Sequence, residues 1–170
     1  IPFFINAKIF NKALSNSKGI SNFYYNIHSS GASSINELRQ GRFWKYQGFF
    51  NIKKDVVEKS TIDDEIELNG KSLLLKIDCE GHDLMVLKGS IQTLLNAREF
   101  VIFIELDKAQ CEAFPSDLLQ FINEKTQDWK FVYNNKFNLT SKDSNDFKSE
   151  LSYHLKNAPG QIDCILTSIP

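Results

Sequence analysis

Two short runs, Leu73-Leu74-Leu75-Lys76-Ile77 and Phe100-Val101-Ile102-Phe103-Ile104, are apolar almost without alternation, and acidic residues follow each at once. A strand apolar on both faces must be covered on both, which is the condition of a central strand in a parallel sheet. Between the runs, Leu84, Leu87, Ile91, Leu94 and Leu95 recur at helical spacing, with Gly89 interrupting and Ser90 placed to cap a second turn. Strand, helix, strand predicts a right-handed crossover between adjacent parallel strands. The fold class expected from this alternation is α/β, a mainly parallel sheet with helices on both faces.

Downstream, Pro115, Ser116 and Asp117 open a helix whose apolar face is Leu118, Phe121 and Ile122. Trp129, Phe131 and Tyr133 alternate with Lys130 and Val132 as a strand does, and Ile162 to Ile169 reads as a last, mostly apolar strand. The polar stretch 134–156 predicts a loop leading into a short helix over Phe147 to Leu155. Before residue 70 the pattern is looser. It suggests strands over Ala7 to Leu14, Asn22 to Ile27 and Lys54 to Lys59, with Ser29 to Ser34 and the segment 39–50 forming a surface excursion.

A chain of 170 residues fits one domain, 1–170. A net charge of -1 provides no field for steering polyanions, so neither nucleic acid nor an acidic membrane is expected as a partner. Cys79, Cys111 and Cys164 are too widely spaced for a disulfide framework or a zinc knuckle, and read as reduced, mostly buried thiols. No apolar stretch approaches the roughly 20 residues that cross a bilayer, so a cytoplasmic protein is the default expectation. The only methionine is Met85, so the chain reads as the C-terminal part of a longer product.

Open parallel sheets bind ligands at the carboxyl ends of their strands, where loops diverge and helix N-termini point outward. Asp78, Glu80, His82 and Asp83 follow the first run, and Glu105 and Asp107 end the second. If the two strands are neighbours, these acids converge on one rim, where a proton acceptor or a group that orients a hydroxyl would act.

The stretch Lys76-Ile77-Asp78-Cys79-Glu80-Gly81-His82-Asp83, continuing to Val86-Leu87-Lys88-Gly89, resembles the K-I-D-x-E-G-x-E-x-x-V-L-x-G signature of FkbM-type methyltransferases. Asn11 to Ser15 with Gly19 is similar to the family's third-strand segment, Ser33-Ser34 to its serine pair, Thr61-Ile62-Asp63 to its T-L-D, and Ile104-Glu105 to the acid ending its fifth strand. Asp83 stands where the family usually has glutamate, and the family's acid-and-glycine cofactor loop has no counterpart, the nearest glycine pair being Gly41 and Gly48.

The resemblance implies an incomplete Rossmann-like class I methyltransferase sheet with its first two strands missing. It further implies S-adenosyl-L-methionine as cofactor and a small-molecule or glycan acceptor methylated on oxygen. Ala13, Leu14 and Asp78 would be the cofactor-binding positions, and Asp78, Glu80 and Glu105 the catalytic ones, with no metal. The chain by itself is then expected to bind the cofactor weakly and to be inactive. The strand over Ala7 to Leu14 is expected to be an orphan.

Two other readings stay open: a non-catalytic remnant or interaction module without the cofactor loop, and a metal-dependent hydrolase built on Asp78, Glu80, His82, Asp83 and Glu105. The plain structural readings are a helix cap for Asp78, a solvated first turn for His82 and Asp83, and a tight turn for Gly81. Lys76 is expected to snorkel or pair with an acid, and His28 and His154 to lie at the surface.

Overall fold

The computed structural model describes residues 7–26, 29–35, 52–133, 136–140, 146–158 and 160–169. Segment 39–50, with Gly41 and Gly48, and His28 lie outside the described residues. Strands β1 (Ala13–Leu14), β2 (Gly19–Asn26), β3 (Ser29–Ser34) and β4 (Ile52–Ser60) form one sheet in the order β1-β4-β2-β3. Strands β5 (Leu73–Ile77), β6 (Phe100–Asp107), β7 (Asp128–Tyr133), β8 (Lys136–Thr140) and β9 (Gln161–Thr167) form a second in the order β5-β6-β9-β7-β8. The helices are α1 (Ile62–Glu65), α2 (Asp83–Lys88), α3 (Ile91–Asn96), α4 (Lys108–Glu112), α5 (Ser116–Lys125) and α6 (Phe147–Asn157).

The strand–helix–strand unit forms, but among the described residues β5 is the edge strand of its sheet, where its apolar run predicts a central one. β5 and β6 are adjacent and parallel, in register from Leu73 opposite Phe100 to Ile77 opposite Ile104. Gly89 ends α2, and a second helix follows. Ser90 sits at the boundary of α3, but its hydroxyl donates back to the Leu87 carbonyl at 2.7 Å. The free amides of α3 are met instead by Asp63, whose carboxylate accepts from Thr93 at 2.7 Å and Gln92 at 3.3 Å. The expected helix over Phe147 to Leu155 and the helix after Pro115 are both present.

The mainly parallel, incomplete Rossmann-like sheet is not what forms. Among the described residues only β1 with β4 and β5 with β6 run parallel, and all other pairings are antiparallel. Connection length is one reason. Two residues separate β2 from β3 and β7 from β8, whereas a parallel return needs a dozen or more. β9 then enters between β6 and β7, antiparallel to both. The serine stretch expected in a surface excursion is strand β3. The stretch Ala7 to Leu14 contributes only the two strand residues of β1, and it is not an orphan, since Ala13 and Leu14 pair with Lys59 and Ser60.

Among the described residues, helices also do not cover both faces of the second sheet. Burial along β6 alternates, with Phe100, Ile102, Ile104 and Leu106 inside, and the helices contribute Leu87, Leu94, Cys111, Leu118, Ile122 and Leu151 to the same core. On the opposite face Leu74 is 71% exposed and Phe103 38%. Continuous apolarity in these runs therefore marks one buried face and one open apolar face. His154, expected at the surface, is buried, with its ring stacked on Phe131 at a centroid distance of 4.6 Å.

Candidate functional site

β5 ends at Ile77, level with Ile104 of β6, so Asp78 leaves the sheet beside Glu105. The chain then turns through two left-handed residues, Glu80 (φ 48°) and Gly81 (φ 91°). A glutamate in that region is strained, and the turn is held from within by Asp83. Its carboxylate accepts from the Cys79 amide at 2.8 Å, the Gly81 amide at 2.9 Å and the Gln110 side-chain amide at 3.1 Å. Gln110 is fixed in turn by a capping box with Asp107 at the start of α4. Asp83 is thus no solvated first-turn residue. It is 1% exposed, and its three donors offset the cost of burying a carboxylate.

The rim is acidic. Asp78 accepts from Lys76 at 2.6 Å, and that bond raises the lysine above its ordinary value. Glu105 is pushed up from 4.5 to about 7, first by burial and then by Asp78, Glu80, Asp163 and Asp83. Asp163 lies on β9 directly opposite Glu105. The Cys79 thiol is pushed up to about 11 by burial and then by Asp83, so it stays protonated near neutrality. Among the described residues, no three His, Cys, Asp or Glu side chains group as metal ligands, and no helix is long and apolar enough to cross a membrane.

The first sheet reaches this rim through small residues. The hydroxyl of Ser15, just after β1, lies 2.9 Å from Nε2 of His82, and the hydroxyl of Ser34 donates to the Glu80 carbonyl at 3.1 Å. Burial, and then the charge of Lys59, lower His82 below its ordinary value. Gly89 allows the closest approach: a Cβ there would stand 2.0 Å from the Ser15 carbonyl oxygen.

Asp78, Glu80 and Glu105 are therefore brought together at one rim. Ala13 and Leu14 are half-buried and adjoin it through Ser15, the next residue in the chain. Sequence reasoning missed Ser15, Ser34 and Asp163 as members of this neighbourhood. Asp163 was legible only as the polar position of an alternating strand, Ile162-Asp163-Cys164.

Mixed sheets with one parallel strand–helix–strand unit, whose strand tips deliver carboxylates beside a helix-opening turn, define an α/β protein. Within that class, the chain belongs to the FkbM methyltransferase domain family, whose model matches residues 4–154. Comparison with curated proteins and with solved structures finds no match.

Proposed function

We propose that the chain carries the acceptor-side rim of an S-adenosyl-L-methionine-dependent methyltransferase that methylates an oxygen of a small molecule or glycan. The observation that carries this reading is the convergence of Asp78, Glu80 and Glu105 at the tips of neighbouring parallel strands. A sulfonium is a cation, and several carboxylates gathered beside the ammonium of Lys76 fit a cationic donor. Ala13, Leu14 and Asp78 are the residues that would hold it. When bound, the cofactor supplies the methyl group.

The chain's own residues have to orient the acceptor and remove its proton. A base works best when its pKa lies near the operating pH. Glu105, held at about 7, meets that condition. Asp78, paired with Lys76, accepts a hydrogen bond from the acceptor hydroxyl, which fixes its angle of attack.

The test is a labelled-methyl transfer assay on the natural protein that carries this chain, with a panel of hydroxylated small molecules and glycans. Glu105→Gln and Asp78→Asn keep the shape and remove the charge, so each should slow transfer by about 10²–10⁴-fold. A rate unchanged in both variants rejects the reading.

A further inference from the structure

We propose that Asp163 is a positioning residue for Glu105, setting its protonation from across the ladder between β6 and β9. The inference deepens the reading of Glu105 as base and rests on it for its catalytic meaning. Its geometric footing is independent. Glu105 and Asp163 are direct partners in an antiparallel pair, so both side chains leave the same face of the sheet, at a spacing where like charges repel. That face is the open one, which carries Leu74, Lys76 and Phe103 and no covering helix among the described residues.

The other charges around Glu105 are differently engaged. Asp78, from the end of β5, is held by Lys76. Asp83, at the start of α2, takes three hydrogen bonds within the protein. Glu80 belongs to the turn between them, and its charge acts on Glu105 more strongly than that of Asp163. Next to β9, β7 presents Val132 opposite Asp163, and the nearest charges along that strand, Lys130 and Asp128, pair with each other at 3.6 Å. Asp163 is the ladder partner of Glu105, while Asp78 and Glu80 act on it more strongly from the strand end and the turn. All four carboxylates act in the direction that favours the protonated form of Glu105.

A like-charge pair directly opposite in a ladder weakens a sheet. It is explained if it keeps a carboxyl proton-bearing near neutrality, where that carboxyl can exchange a proton with an acceptor. Burial alone would raise Glu105 partway, and the cross-strand carboxylate supplies a further increment that one substitution removes.

The experiment is a carbon-13 NMR titration of the Glu105 side-chain carboxyl in the whole chain, compared with Asp163→Asn and Asp163→Glu. Asp163→Asn should lower the Glu105 midpoint by about half a unit or more, and Asp163→Glu should restore it. The acid limb of the pH–rate profile of methyl transfer should move by the same amount in the natural protein. An unmoved midpoint in Asp163→Asn overturns the proposal. A moved midpoint with no methyl transfer at any pH leaves the tuning intact and rejects the functional reading instead. Asp163 is exposed, so both variants should fold. Asp163→Ser, also uncharged, provides a second neutral replacement with the same expected downward shift.

Discussion

The two sheets are held together by different physics. Among the described residues, every buried apolar side chain of the core lies at or beyond Ile62, in the second sheet, its helices, α1 or, for Phe114, the link between α4 and α5. The buried residues of the described first-sheet region are Ser15, Ser34, Ser60 and Thr61, while Ile20 and Val56 on its strands are 74% and 71% exposed. The second sheet therefore rests on removal of apolar surface from water. The first rests on its own ladder, on ion pairs such as Lys12 with Glu65 at 2.8 Å, and on close contacts with α2 and the rim. That ion pair is partly buried, but it joins the chain before β1 to α1 and not to the rim. The Ser15, Ser34 and Gly89 contacts are thus what set the first sheet against the acids, and with it Ala13 and Leu14.

The largest test of this contrast is in the aromatic core. Phe147 is fully buried, edge-on to Phe114 and Trp129 and stacked on Phe131, with centroid distances of 5.6–5.8 Å. Phe147→Ala should cost about 3–5 kcal/mol, measured as a shift of the denaturant midpoint. A loss below about 0.5 kcal/mol, within the range of an ordinary surface change, would break the assignment of stability to the second sheet.

Gly89→Ala probes the junction instead. The new methyl would overlap a backbone carbonyl, so Ser15 and the end of β1 would have to move, at an expected cost of about 1–3 kcal/mol. Hydrogen exchange sharpens the comparison. Amides of β1 and of its partner β4 should lose protection first, while those of β6 and β9 keep theirs. Equal loss in both sheets would show that the junction is not a separate unit.

How far the chain could be read in advance follows the same division. The β5–α2–α3–β6 unit and the acids at its end were legible because helical spacing and compact apolar runs are local signals, and the motif from Lys76 to Gly89 lies within them. The direction of β9 was not legible. Nothing in Ile162 to Thr167 says that it enters between β6 and β7, and that entry alone brings Asp163 to Glu105. The open face was hidden for a related reason. Leu74 and Phe103 look like core in the sequence, and only the placement of every described core helix on the other face reveals them as exposed. Asp83 was misread because a first-turn acid is usually solvated, and its three donors come from a left-handed turn and from α4, 27 residues away for Gln110.

The smallest expected effect concerns pH, and it locates a cost in the second sheet rather than at the junction. Glu105 has its folded pKa raised, to about 7 from an ordinary 4.5, chiefly by burial and then by Asp78. Between those values the folded chain holds a proton that the unfolded chain releases. Stability therefore falls as pH rises from about 4.5 to about 7, and levels off above that. Glu105→Gln removes the ionisable group and keeps its size. At pH 8 it should stabilise the chain by about 1 kcal/mol once solvent screening of a partly exposed carboxyl is allowed for, and the gain should vanish below about pH 4.5. Thermal melts of both proteins from pH 4 to pH 9 measure the difference directly. A gain that persists undiminished at pH 4 would mean that glutamine packs better for reasons unrelated to charge, and Glu105 would lose its standing as the strained member of the rim. If the gain follows pH, the acid proposed as the base is also the residue at which the second sheet gives up stability, as expected where a site needs a group that folding alone would not favour.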